Sequence, residues 1–194
     1  MTLQRTAMYN MLTLLILPIV GLRAEAQCKS PNDFLIGPFA KPPSLAIRLF
    51  EVKFRPEFPI RQLEGFRVNL AEELREQLLK SGFFSSVTIA PDDVETTADL
   101  VLTGDLTEVV VGANSFSWYN IVTRRADDQP AKVGLSGMIT PRSSDTPATT
   151  FECFAGYTWG TAGSKANKSI MNIAKYLKSV YADMAKPRKK SSKK

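Results

Sequence analysis

The 194-residue sequence contains no histidine. This absence removes the usual general base, the commonest metal ligand, and every Ser-His-Asp or Cys-His arrangement for nucleophilic catalysis. Cysteine is scarce, with Cys28 and Cys153 alone. A long apolar run is also missing: Met11 to Leu22 spans 12 residues, too few to cross a bilayer comfortably. Basic residues are in excess, with a net charge of +6, but the excess is local. Six positive residues and no acidic one lie between Lys186 and Lys194. Setting these and the first 26 residues aside leaves 17 basic and 18 acidic residues. The body is therefore near neutral, and specific nucleic-acid binding is not expected of it.

Other chemical motifs are incomplete. Gly134-Leu135-Ser136-Gly137-Met138 approaches a nucleophile elbow but lacks its final glycine, and it lies within a hairpin strand. Gly160-Thr161-Ala162-Gly163-Ser164-Lys165 joins a strand to a helix, yet its glycine and lysine positions do not match a phosphate loop; it reads as a turn whose Ser164 caps the helix. Asp92, Asp93, Glu95 and Asp99 lack the spacing of a calcium loop and read as solvated charge. Asn167-Lys168-Ser169 matches a glycosylation sequon but falls on a helix. No cofactor and no metal site is expected. The least implausible acids for a histidine-free enzyme are Asp105 and Glu108, near the end of a central strand.

What is present begins with export. Arg5, the apolar run and Ala24-Glu25-Ala26 form a secretory signal with an A-x-A cleavage site, so residues 1–26 are expected to be removed. Cys28 lies close enough to the cut for lipid modification, but Glu25-Ala26-Gln27 stands where small residues normally precede a lipidated cysteine. Ordinary cleavage into the periplasm or medium is the favoured reading; an outer-membrane lipoprotein anchored through Cys28 is the alternative. In an exported chain two cysteines point to a Cys28–Cys153 disulfide, with two free thiols as the other outcome.

The remaining 168 residues suit one domain. A proline-rich lead, 27–44, is expected to lie extended across the body. The folded domain should run from 45 to 185, and a disordered basic tail from 186 to 194. Leu63, Phe66, Leu70, Leu74 and Leu78 recur at helical spacing, predicting an amphipathic helix over about 62–81 that stops at Gly82. A second helix is predicted over about 164–184, with Ile170, Ile173, Ala174, Leu177, Tyr181 and Met184 on one face. Leu45–Phe54 reads as a strand whose alternation changes phase, which points to a bulge or to two covered faces. The segment 83–89 follows as a strand, as does Leu100–Val111, with Leu100, Leu102 and Leu106 on one face and Val101, Val109 and Val111 on the other. Ser115–Thr123 is a further candidate strand. Val133–Ile139 and Phe151–Trp159 alternate and should form a hairpin. Strand, helix, strand at this spacing implies parallel pairing somewhere in the sheet. The fold class is α/β (α+β): one mixed sheet packed by two amphipathic helices.

Two surfaces carry binding chemistry. Phe116, Trp118, Tyr119, Arg124 and Arg125 gather residue types that dominate hot spots, so a protein partner is expected there. Lys186, Arg188, Lys189, Lys190, Lys193 and Lys194 form a candidate contact for anionic surfaces.

The run Leu74-Arg75-Glu76-Gln77-Leu78-Leu79-Lys80-Ser81-Gly82-Phe83-Phe84-Ser85-Ser86-Val87, followed by Ala98-Asp99-Leu100-Val101-Leu102-Thr103-Gly104-Asp105-Leu106, resembles the periplasmic α/β modules of the TolB amino-terminal and CsgG type. The penicillin-binding-protein activator LpoB shares this pattern. The resemblance covers roughly residues 45–181. It implies a small α/β sandwich of the cell envelope that binds other proteins and catalyses nothing. This chain departs from the pattern in lacking a good lipid-attachment signal and in carrying a basic tail.

Overall fold

The computed structural model describes residues 26–54, 60–91, 94–110, 130–157 and 162–186. Its elements are β1 (Gln27–Lys29), β2 (Ser44–Ile47), β3 (Glu51–Val52), α1 (Ile60–Leu79), β4 (Ser86–Ile89), β5 (Leu100–Val110), β6 (Ala131–Pro141), β7 (Thr149–Tyr157) and α2 (Ala162–Ala185). Among the described residues the strands form one seven-stranded mixed sheet in the order β1-β7-β6-β5-β2-β4, with β3 also on β5. Strands β2, β3 and β4 pair in parallel around β5, whereas β5, β6, β7 and β1 run antiparallel. The expected α/β class, parallel pairing and β6–β7 hairpin are all present.

Both helices lie against one face of the sheet. On α1, Leu63, Leu70, Leu74 and Leu78 are buried, as the helical period requires; α2 contributes Ile170, Ile173, Ala174, Leu177 and Tyr181 to the same core. Helix α1 runs 60–79, against the expected about 62–81; past Lys80 the turn tightens, with the Ser81 amide reaching back three residues to Leu78 and that of Gly82 to Leu79. Gly82, at φ 73°, ends it in the left-handed region. The strand read from 83 begins only at Ser86, since Phe83 and Phe84 leave the ladder to pack on Tyr181, with ring centroids 5.5 and 5.2 Å away. Helix α2 begins at Ala162, so Ser164 lies inside the first turn and not at the cap.

One expectation about strand continuity and one about strand phase are corrected, while the change of phase read within 45–54 is present. The segment 45–54 is two short strands, not one. Between them the chain bends so that Phe50, fully buried, fills the space above Gly104; a Cβ there would sit 2.5 Å from the Phe50 ring. In β5 the register shifts between Leu106 and Glu108. The extra residue reverses the alternation, so Val109 joins Leu106 in the core instead of facing away.

The lead segment is fastened to the body. Cys28 and Cys153 sit opposite one another in the β1–β7 register and are joined by a disulfide. The Asn32 amide donates to the Ala148 carbonyl at 2.5 Å, and the Thr149 hydroxyl donates to Asn32 Oδ1 at 2.6 Å. This holds Asp33 and Phe34 at positive φ, 51° and 62°. Phe34 is buried between Phe151 and Tyr176, whose ring centroids lie 5.8 and 6.3 Å away. Ring contact and burial offset the backbone strain of a bulky residue in that region.

Candidate binding surface

With both helices on one side, the opposite face of the sheet carries the alternate residues of β5, β6 and β7. Register decides what meets there. Asp105 pairs with Ser136, Ser136 with Glu152, and Glu152 with Lys29, so four residues far apart in sequence form one row across four strands. Thr103, Met138 and Thr150 form the adjacent row. All of these except Thr103 line a groove of about 550 Å³, with Gly104 and Gly137 also among its lining residues. Beyond it Phe154 stands half exposed (50%) over Gly134, and Met138 is 40% exposed. Large apolar side chains on the polar phase of two strands are the unusual feature of this face.

The row continues onto β3, where Glu51 pairs with Asp105. Lys53 Nζ lies 2.6 Å from the Glu51 carboxylate and 3.8 Å from that of Asp105. The hydrogen bond from Lys53, with its charge, lowers the Glu51 pKa; the same contact raises that of Lys53, with Asp105 adding to it. Asp105 therefore sits beside a cation at the edge of the groove. Glu108 does not line the groove. The two carboxylates singled out for acid–base work thus do not share its walls. Ser136 lies between two carboxylate-bearing strands, in a chain that has no histidine to activate it. Among the described residues no group of three His, Cys, Asp or Glu is placed to hold a metal ion.

Of the acidic loop, Asp92 and Asp93 lie outside the described residues, and Glu95 and Asp99 make structural contacts. Asp99 accepts hydrogen bonds from the Ser44 amide (2.8 Å) and hydroxyl (2.7 Å), while its own amide donates to Ser44 Oγ (2.9 Å). These bonds, the backbone one first, lower its pKa and tie the start of β5 to β2. Glu95 pairs with Arg142 at 3.3 Å. The sequon Asn167 accepts a hydrogen bond from the Asn69 amide, joining α2 to α1, and the Ser169 hydroxyl donates to the Lys165 carbonyl.

Phe116, Trp118, Tyr119, Arg124 and Arg125 lie outside the described residues, in the connection between Val110 and Ala131. So do Arg188, Lys189, Lys190, Lys193 and Lys194; Lys186 is exposed and bonded to Asp183 at 2.7 Å. Sequence reasoning passed over Lys29, Met138, Glu152 and Phe154. Their signal was available for the two apolar ones, since each interrupts the polar phase of an alternating strand.

Two layers, with helices on one side of a mixed sheet, define a class of single-domain α/β modules. The structure aligns with the PelC dodecamer from Paraburkholderia phytofirmans at a TM-score of 0.52 and 16% identity, over 77% of this chain and 96% of that one. A PelC variant dodecamer from the same organism aligns at 0.48 and 17%, over 79% and 97%. A Xanthomonas campestris protein of the DUF330 type aligns at 0.44 and 10%, over 73% and 86%. The first of these shows a shared fold. No protein-family model matches the chain, and no curated protein does.

Proposed function

We propose that this chain is a non-enzymatic accessory or assembly protein of the cell envelope, and that it binds a protein partner, further copies of itself included, through the open face of its sheet. The observation that carries this reading is the exposed pair Met138 and Phe154 on the open face of the sheet, beside the groove. Aromatic and methionine side chains displayed on a strand face are what interfaces use. The fold likeness to a protein that forms dodecamers supports self-association as one form of that binding. Kinship with the TolB, CsgG and LpoB modules is the family form of the same proposal.

Residues 1–26 act as the export signal in this reading. The disulfide supports a periplasmic or secreted location, because such bonds persist in oxidising compartments. It also supports an unlipidated Cys28, since one sulfur cannot carry both a bridge and a lipid. No described helix is long and apolar enough to cross a membrane. The connection holding Phe116, Trp118, Tyr119, Arg124 and Arg125 belongs to the proposed partner surface.

The test is crosslinking in the intact envelope, followed by mass spectrometry of the captured species and native mass determination of the purified protein. The reading expects crosslinks from the Met138–Phe154 face and their loss in Met138→Glu and Phe154→Glu. A monomer without envelope crosslinks would sink it.

A further inference from the structure

Helix α1 carries two large apolar side chains that the core does not use. Val68 and Leu79 are 47% and 46% exposed, and among the described helical residues no other large apolar side chain is left so open. With Gly65, Glu72 and Arg75 they recur at spacings of three, four, three and four, the period of a helix–helix seam. All five are exposed. Gly65 is the odd member. A glycine inside a helix is destabilising relative to alanine, and a Cβ placed there would meet nothing within 4 Å among the described residues. Packing within this chain therefore does not call for a glycine at 65. The close approach of a second helix does. Helix α2 is not that neighbour, because it is met from another side of α1, where the Asn69 amide donates to Asn167.

The order of residues along the stripe selects its occupant. A second α1 laid antiparallel, about a centre between Glu73 and Leu74, sets Val68 against Leu79 and Glu72 against Arg75. Gly65 then falls opposite Gly82, where the other helix ends at φ 73°. Every contact occurs twice, as a two-fold interface between identical chains requires. A parallel pair would instead set Glu72 on Glu72 and Arg75 on Arg75. Within one chain Arg75 and Glu72 are already paired at 2.6 Å, and each side chain is about half exposed. In the antiparallel pair the two bridges join into a square of four alternating charges, which fixes direction and register. We propose that α1 pairs with the α1 of a second copy of this chain, antiparallel about a two-fold axis, through Val68, Glu72, Arg75 and Leu79. From Gly65 to Leu79 the seam is about 21 Å long at 1.5 Å per residue. A single helix stripe of that length covers less surface than a standard interface, so the pairing is of the weak, reversible kind. It lies on the helix layer, across the sheet from Met138 and Phe154, and does not require that face to bind anything.

Sedimentation equilibrium over a concentration series, with native mass spectrometry to identify the species, tests this on the purified full chain. The parent is expected to dimerise. Glu72→Arg sets arginine on arginine across the axis, and Arg75→Glu sets glutamate on glutamate, twice per dimer in each case. Each variant is expected to pair about tenfold more weakly or worse. An equimolar mixture of the two restores opposite charges at every contact, so it is expected to recover pairing at the parent's strength, as a heterodimer told apart by mass. Damage to the fold cannot produce that recovery. The substituted side chains are exposed, so far-UV circular dichroism should not change. If a charge variant folds poorly, Val68→Ser with Leu79→Ser carries the test, with pairing weakened about tenfold. A parent that stays monomeric throughout the series, charge variants that associate as the parent does, or a mixture that fails to recover the dimer would each overturn the proposal. So would crosslinks from the stripe to a different protein without a homodimer. Self-association lost in Met138→Glu and Phe154→Glu but kept in the charge variants would assign it to the sheet face and overturn the proposal as well.

Discussion

Gly104 and Gly137 face each other across β5 and β6, and each leaves room for a phenylalanine from another segment. A Cβ at 104 would lie 2.5 Å from the ring of the fully buried Phe50 and 2.2 Å from the Ser136 carbonyl oxygen, which belongs to a paired strand and has nowhere to go. Gly104→Ala is therefore expected to cost about 1 to 3 kcal/mol by overpacking, read from urea unfolding. Gly134→Ala meets the half-exposed Phe154 ring at 2.9 Å and the Thr107 hydroxyl at 2.8 Å. Both are ends of side chains that can turn outward, so a smaller loss is expected there.

Tyr181 is 1% exposed, and its hydroxyl has no hydrogen-bond partner among the described residues. Burial raises its pKa above the ordinary 10.0, because the phenolate has no water around it. The sign follows from proton counts. Above pH 10 the unfolded chain releases this proton while the folded chain keeps it, so the stability present below that pH is lost as pH rises. The slope reaches about 1.4 kcal/mol per pH unit. Tyr181→Phe is expected to remove this alkaline component and, having no hydroxyl to desolvate, to match or exceed the parent in stability at neutral pH. Urea titrations of both proteins from neutral to alkaline pH check the difference.

Among the elements, those with a long unbroken period were legible. Leu63, Leu70, Leu74 and Leu78 mark the buried side of α1, and the alternation of Val133, Leu135 and Ile139 marks that of β6. The motif around Ala98-Asp99-Leu100 now has a physical reading: Ala98 packs with Ala46 and Ala90, Asp99 binds Ser44, Leu100 and Leu102 enter the core, and Gly104 admits Phe50. What stayed hidden depends on single residues or on pairing partners. The register shift after Leu106 inverts the alternation without leaving a local mark. The change of phase at Phe50 was legible, but not that Gly104, on another strand, leaves the space its ring fills. Strand β1, three residues long, exists because β7 and a disulfide receive it. The row Asp105, Ser136, Glu152 and Lys29 is a product of register in three ladders, so no stretch of sequence contains it.

Strand β1 also bears the most direct test of how elements are held. Its bridge closes a separation of 125 residues. The chain-entropy treatment assigns about 5 kcal/mol to such a loop, and native bridges of small exported domains are worth about 2 to 5 kcal/mol. Replacing both cysteines by serine is expected to lower the unfolding free energy within that range. The parent measured under reducing conditions should fall to the level of the variant.

At the scale of the molecule, charge and architecture divide the protein into unlike sides. The body is near neutral, and the surplus of positive charge lies at one end of the sequence. One face of the sheet is sealed by helices; the other bears Met138 and Phe154. The general architecture was legible because patterning decides fold class, whereas the surfaces were not, because they are assembled from many segments.

The bridge between the two ends has a consequence in time. Polypeptides are made from the amino end, at about 5 to 20 residues per second. With 125 residues between the two cysteines, the first thiol precedes its partner by roughly 6 to 25 seconds. During that delay no other cysteine of the chain can capture it, so a wrong internal bridge cannot form. The edge strand it belongs to has its only neighbour, among the described residues, in β7, so it too has no partner until that later strand is made.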